Sequence, residues 1–110
     1  MRTLAVLSAV LLLGCSSSST FDSDQWKKAD LSTRDRVEMV DGLLSQHALK
    51  GLSRSEVVEL LGEPTKTDKW EDWDMIYVLG PTEYMPIDHE WLVLELDETD
   101  RVSDYDVTAD

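Results

Sequence analysis

The chain has 110 residues, with 23 acidic and 10 basic side chains that give a formal net charge of −13 at pH 7. This excess of acid argues against nucleic acid or anionic lipid headgroups as the main partner, because both are bound through clusters of Lys and Arg. The length suits one small domain, and the single cysteine, Cys15, excludes a disulfide within one chain. Stability must therefore come from the hydrophobic core.

The N-terminus has the pattern of a secretory signal. A basic residue precedes the apolar stretch 4–13, which is shorter than the roughly 20 residues that span a bilayer. The stretch runs into the tetrad Leu-Leu-Gly-Cys at residues 12–15, which resembles a bacterial lipobox. The resemblance implies a signal peptide at residues 1–14, cleavage between Gly14 and Cys15, and a diacylglyceryl group on the thiol of Cys15. At least two acyl chains would then anchor the mature protein persistently.

Ser16 follows the cysteine in place of Asp. By resemblance to Gram-negative sorting rules, this favours the periplasmic side of the outer membrane, with inner- or plasma-membrane anchoring as the alternative. Residues 15–30 are expected to form a lipidated cysteine and a flexible tether that is Ser-rich at its start. Within the tether, residues 21–30 are polar and expected to be irregular, with Trp26 as a candidate anchor onto the domain. The folded domain is expected at residues 31–110.

A first helix is predicted from Ser32, which fits a capping box with Asp35, to about Ala48. Apolar residues recur there at three- and four-residue spacing, as on one face of an amphipathic helix. The predicted face comprises Val37, Val40, Leu43, Leu44 and His47.

The sequence signals that start and end a second helix are more specific. Ser53 is the expected N-cap, with Glu56 as its capping-box partner. Gly62 suits the left-handed position after the helix, and Pro64 prevents its continuation. Because the turn between the two helices is short, we expect a helical hairpin.

The hydrophobic period then changes to two, which predicts strands. We expect them at residues 73–80, 89–96 and 102–107, with a long loop at 80–88. The opposite parity of Val102 suggests a bulge near Ser103. Helices before strands predict an α+β fold, with a two-helix hairpin packed on one face of a three-stranded antiparallel β-sheet.

These elements also carry a family resemblance. The segment GLSRSEVVELLGEP at residues 51–64 resembles the signature of the SmpA/OmlA (BamE-like) small bacterial outer-membrane lipoproteins, or of an uncharacterised relative. WDMIY at 73–77 and LVLELD at 92–97 resemble the family's first two strands. The resemblance covers about residues 51–107. It implies two helices on a three-stranded antiparallel sheet, and a role as an accessory of the outer-membrane β-barrel assembly machine.

Little in the sequence indicates catalysis. No nucleophile motif or phosphate-binding loop occurs, and His47 lies on an apolar helix face, where a packed side chain is expected. In the run Asp-His-Glu at 88–90, His89 points away from both carboxylates, which is poor geometry for a metal. Asp72 and Asp74 lack the formed loop of six or more oxygens that calcium needs. We expect no enzyme activity, no cofactor, no metal and no small-molecule substrate.

The aromatic residues suggest an interaction surface. If the leucines of the second strand face the helices, Trp91 lies on an uncovered sheet face, where an exposed aromatic patch would mark a binding site. The alternative is that Trp91 fills the core. The predicted partner-binding residues are Trp70, Tyr84, Met85, Ile87 and Trp91.

Three functions follow as hypotheses. The first is a lipid-anchored scaffold or adaptor of the cell envelope that binds a protein partner, in outer-membrane assembly or maintenance. The second is an envelope inhibitor or ligand-binding module that acts through its acidic surface, and steep salt dependence would distinguish it. The acidic residues are spread along the chain, which also fits a solvated surface adapted to a salty habitat. The third is an envelope enzyme or metal protein, which metal analysis would test.

Overall fold

The computed structural model describes residues 20–85 and 87–110. The predicted signal peptide, its cleavage site and Cys15 lie outside them. Within this part, three α-helices accompany one three-stranded antiparallel sheet of order β1-β2-β3, which confirms the α+β class. None of these helices is long and apolar enough to cross a bilayer. The elements are α1 (Ser23–Lys28), α2 (Asp35–Gln46), α3 (Arg54–Leu61), β1 (Met75–Pro81), β2 (His89–Leu96) and β3 (Val102–Ala109).

Residues 21–30 contain a helix, so the expectation of an irregular segment was wrong. Asp22 caps α1 by accepting a hydrogen bond from the backbone N–H of Gln25, at 3.0 Å. Trp26 is completely buried, and the ring of Phe21 packs edge-on against it with 5.7 Å between centroids. Trp26 therefore anchors this segment in the core, as predicted. A helix of six residues is too short to show an apolar period.

The predicted capping box at the start of α2 is absent. The helix begins at Asp35, after Arg34, whose side chain makes no capping bond. Ser32 instead donates from its backbone N–H and its hydroxyl to Oδ1 of Asp30, at 2.9 and 2.7 Å. The serine hydroxyl therefore forms a hydrogen bond within a local turn instead of capping the helix.

The buried face of α2 is also rotated from the predicted one. It comprises Arg36, Met39, Val40, Gly42 and Leu43. Val37 and Leu44 lie at its margins, half-buried. Arg36 Nε donates to the carbonyl of Trp26 at 2.9 Å, and Nη1 donates to the carbonyl of Val78 at 3.1 Å. Burial lowers the pKa of Arg36, and these acceptors offset part of its desolvation.

Helix α3 confirms its prediction. The hydroxyl of Ser53 accepts from the N–H of Glu56 at 3.2 Å, and Oε1 of Glu56 accepts from the N–H of Ser53 at 2.8 Å. Gly62 follows with φ of +85° and donates its N–H to the carbonyl of Val58 at 2.7 Å. Helix α1 contacts both α2 and α3, so the helical layer contains a member that the sequence did not predict.

The sheet is a meander in which β2 has its predicted bounds. Strand β1 begins at Met75 rather than Trp73, and β3 continues to Ala109. The register between β2 and β3 shifts opposite Leu96 and leaves Ser103 without a partner. The predicted bulge is therefore confirmed.

Both faces of the sheet are covered. One face shares the main core with all three helices through Met75, Tyr77, Leu79, Leu92, Leu94 and Val102. The other face carries a second cluster of Ile76, Val78, Trp91 and Val93. Trp70 and Trp73, from the segment between α3 and β1, pack against that cluster. The expectation of a bare second face was wrong, since apolar residues of both parities at 75–79 are typical of a strand buried on both sides.

Candidate functional site

The loop between β1 and β2, residues 82–88, is closed by its own hydrogen bonds. Thr82 donates its N–H to the carbonyl of Asp88 at 3.0 Å, and Asp88 donates to the carbonyl of Met85 at 2.8 Å. The hydroxyl of Thr82 donates to that same carbonyl and accepts from the N–H of Met85 at 3.2 Å. The loop therefore has a defined shape at its base.

This loop presents large apolar side chains to solvent. Tyr84, Met85 and Ile87 are 86%, 53% and 80% exposed. Elsewhere in the described chain, the one large hydrophobic residue with comparable exposure is Leu31, at 38%. Removing apolar surface from water is favourable by roughly 25 cal/mol per Å². Apolar side chains concentrated on one loop therefore indicate a contact surface.

An open groove of about 540 Å³ lies beside the loop on the second face of the sheet. Val78 and Trp91 contribute apolar surface from two strands, and Ile87 contributes it from the loop. The remaining lining residues are Thr65, Lys69, His89 and Asp110. The exposed loop and the groove thus form one continuous surface, called here the loop–groove site.

Asp110 joins three parts of the chain at the edge of this groove. Its Oδ1 accepts from the N–H of His89 at 2.8 Å and from the indole N–H of Trp91 at 3.3 Å. Its Oδ2 lies 2.9 Å from Nζ of Lys69. The bond from His89, followed by the one from Lys69, holds the pKa of the Asp110 carboxyl well below its usual range. The carboxylate therefore stays charged and keeps these groups together.

The structure brings together some of the predicted partner-binding residues. Ile87 and Trp91 line the same groove, and Trp70 lines a neighbouring hollow that shares two residues with it. Tyr84 and Met85 stand on the loop and line neither cavity. Trp91 is only 6% exposed, so its predicted role as an exposed aromatic is corrected to that of a buried floor residue.

Sequence reasoning missed Lys69, Asp110 and Thr65 as parts of this site. Lys69 and Asp110 are far apart in the chain, and no local pattern signals their ion pair. Thr65 is also a long-range contact, because its hydroxyl accepts from the N–H of Val78 at 3.0 Å along β1. The run of apolar residues at 75–79 is the one signal that could have suggested a covered second face.

A second open hollow, of about 730 Å³, lies between α1 and α2. Its charged lining consists of Asp30, Asp35 and Glu38 together with Lys28. Carboxylates outnumber the single ammonium group here, so the hollow would favour a cationic group over an anionic one.

The remaining polar candidates are occupied by packing and ion pairing. The imidazole of His47 packs against Phe21, with 5.4 Å between ring centroids. Glu90 pairs with Arg34 at 3.1 Å. Over residues 20–85 and 87–110, no group of three His, Cys, Asp or Glu side chains is placed to hold a metal ion.

Comparisons with protein-family models, with curated proteins and with solved structures give no match. The functional case therefore depends on the geometry and chemistry of the loop–groove site and on the N-terminal sequence pattern.

Proposed function

We propose that the protein is a non-enzymatic, lipid-anchored scaffold or adaptor of the cell envelope. It binds a protein partner through the loop at residues 82–88. The observation that supports this function is the exposure of Tyr84, Met85 and Ile87 on a loop closed by its own hydrogen bonds. Hydrogen bonds that already hold the base of the loop reduce the conformational entropy that is lost when the partner docks. Lipid anchoring at Cys15 raises the local concentration, so a modest contact area is enough.

We also propose that the chain belongs to the SmpA/OmlA (BamE-like) lipoproteins or to a related group. In this proposal α2 and α3 form a helical hairpin on one face of the sheet. The capping box of Ser53 and Glu56, and the helix stop at Gly62, support that proposal, as does a core shared by all helices with one sheet face. Ser16 after Cys15 favours the periplasmic side of the outer membrane. A role in outer-membrane assembly or maintenance would follow from that family.

A second candidate function is an envelope inhibitor or ligand-binding module that acts through its acidic surface. The hollow where Asp30, Asp35 and Glu38 surround Lys28 favours it. Binding of a cationic target there would weaken steeply as ionic strength rises, because exposed charges are screened over about 10 Å at 0.1 M salt. Docking through the apolar loop would weaken less and persist at high salt, because its apolar contacts are not screened.

Anchoring is tested with Cys15→Ser in the full-length precursor. We expect mass spectrometry to show loss of the acyl groups, and fractionation to show loss of the protein from membranes. Ser16→Asp is the companion variant, which should keep the lipid and move the protein from the outer to the inner membrane. A serine variant that still fractionates with membranes would contradict the anchoring proposal.

Partner binding is tested by placing a photo-crosslinking residue at position 84 and irradiating isolated native membranes at low and at high salt. The matched control carries it at Thr99, which is exposed in the turn at the opposite end of the sheet. We expect one discrete adduct from position 84, formed at both low and high salt, and no such adduct from position 99. Equal adducts from both positions would contradict docking through the loop, and an adduct abolished by salt would favour the acidic module.

A further inference from the structure

Two carboxylates flank the apolar tip of the loop. Glu83 is exposed and Asp88 is half-buried. Neither takes part in the ion pairs formed among residues 20–85 and 87–110. The loop therefore presents apolar side chains between two negative charges, on a chain whose net charge is already −13.

Most polar groups that line the groove are already engaged in hydrogen bonds or an ion pair within the protein, and the imidazole of His89 lies beside Trp91, with 6.3 Å between ring centroids. Both carboxylate oxygens of Asp110 accept hydrogen bonds or pair with Lys69, and the indole N–H of Trp91 is donated to it. The hydroxyl of Thr65 accepts from Val78. A polar ligand would have to break these bonds, whereas an apolar side chain can cover Val78 and Trp91 without breaking any.

We propose that the loop–groove site binds a segment of a partner protein in which large aliphatic side chains are flanked by lysines or arginines. An aliphatic side chain enters the groove over Val78 and Trp91 and packs against Ile87. The flanking cations lie near Glu83 and Asp88. This inference rests on the proposed adaptor function and specifies the chemistry of its partner.

Charge argues against two other occupants of the same surface. An anionic membrane surface would be repelled by Glu83 and Asp88, and basic residues are what such a surface attracts. A second copy of this chain would bring its own excess of acid, with a net charge of −13, against the same carboxylates. For a basic protein segment, both the apolar contacts and the electrostatic interactions contribute favourably to the binding free energy.

The test uses three blocked, fluorescently labelled peptides and the acylated full-length protein in nonionic micelles, with empty micelles as the blank. The first peptide has two central leucines flanked by lysines. The second replaces each lysine by glutamate, and the third replaces each leucine by serine. Fluorescence anisotropy should show saturable binding of the first peptide and at least tenfold weaker binding of the other two.

Variants then locate the site. Ile87→Ser should weaken binding of the first peptide about tenfold, the loss expected for one aliphatic contact, whereas Leu31→Ser should leave it unchanged. Glu83→Lys with Asp88→Lys should weaken it about fivefold, as expected for two rim charges. The matched control is Glu98→Lys with Asp104→Lys, which makes the same change in net charge at exposed positions outside the loop and the groove. This control should weaken binding of the first peptide less.

Several results would overturn the inference. Equal binding of the lysine and glutamate peptides would exclude charge recognition, and binding unaffected by Ile87→Ser would exclude the groove. Binding of the unacylated Cys15→Ser protein to phosphatidylglycerol vesicles that is lost in Ile87→Ser would assign the loop to the membrane. A dimer in sedimentation that Ile87→Ser abolishes would assign it to a second copy. If the lysine–leucine peptide does not bind but the position-84 adduct still forms, the inferred partner chemistry is wrong and the adaptor function stands. If neither the peptide binding nor the adduct is observed, both proposals are rejected.

Discussion

Lys69 and Asp110 form an ion pair across the second face of the sheet, with Nζ 2.9 Å from Oδ2. Lys69 belongs to the segment between α3 and β1, and Asp110 follows β3. The same carboxylate accepts hydrogen bonds from His89 and Trp91 of β2. One side chain therefore ties the covering segment to the sheet and fixes one edge of the groove.

Asp110→Asn should destabilise the protein by about 1–2 kcal/mol at pH 7, because charge-assisted contacts are lost around a partly buried carboxylate. Urea unfolding followed by circular dichroism measures this loss. Asp106→Asn is the matched control, since Asp106 is exposed on β3, the strand that Asp110 follows, and its effect should stay within about 0.5 kcal/mol. Equal losses in the two variants would contradict a special role for Asp110.

The contribution of Asp110 should also depend on pH. Its pKa is lower in the folded protein than in the unfolded chain. The stabilisation is therefore fully present above about pH 4, the ordinary value for Asp, and is lost as pH falls toward the lower folded pKa. The difference in unfolding free energy between wild type and Asp110→Asn should shrink progressively in acid. A urea series across this range that shows a constant or growing difference would contradict the assignment.

Gly80 should be harder to replace than Gly51. It lies at a register shift in β1 with φ of +150°, and a Cβ there would overlap the carbonyl oxygen of Thr33. Gly80→Ala should therefore cost about 2–3 kcal/mol. Gly51→Ala has a comparable positive φ of +95° but open space around a Cβ, so it should cost only about 1 kcal/mol. If urea unfolding shows equal losses of stability for the two variants, contact with Thr33 is not what restricts position 80 to glycine.

Two serines that both fit a capping pattern should behave differently. Ser53→Ala removes the acceptor for the N–H of Glu56 and should cost about 1 kcal/mol. Ser32→Ala removes only a bond to Asp30 in an exposed turn, and should change stability by less than about 0.5 kcal/mol. Chemical denaturation of the pair measures both. A larger loss for Ser32→Ala would mean that it supports the start of α2 after all.

The predictable elements of this fold carry their signals locally. Helix α3 has its cap, partner and stop within one short segment from Ser53 to Gly62, and β2 has a leucine at every second position from 92 to 96. Arg36 illustrates the opposite case. Its burial depends on the carbonyl groups of Trp26 and Val78, which are distant in sequence, so a hydrophobic period could not place it on the core face.

The loop–groove site was predictable only in part, because some of it depends on contacts between residues that are distant in sequence. Tyr84, Met85 and Ile87 could be recognised as apolar residues in a loop, and all are exposed. The sequence left the burial of Trp91 open, because that burial depends on Trp70 and Trp73 packing on the second face. Their position is set by long-range contacts, including the ion pair that ends at Asp110.

Trp26→Ala should be the most damaging of these substitutions, at about 3–5 kcal/mol. It removes a fully buried ring and leaves Arg36 without the aromatic surface that lies 4.9 Å from its guanidinium carbon. Lys28→Ala, at an exposed position of the same helix, should have an effect within about 0.5 kcal/mol. A neutral Trp26→Ala in urea unfolding would mean that α1 does not contribute to the fold.

Packing of α1 into the domain also limits the distance between the domain and its proposed anchor at Cys15. The chain that joins Cys15 to the buried ring of Phe21 is short. Its five residues, 16–20, reach at most about 18 Å when fully extended. The proposed anchor would then hold the whole domain close to the membrane surface. Inserting a ten-residue Gly-Ser linker after Ser17 should leave stability unchanged and reduce the yield of the position-84 adduct, whereas an unchanged yield would show that proximity to the membrane is unimportant.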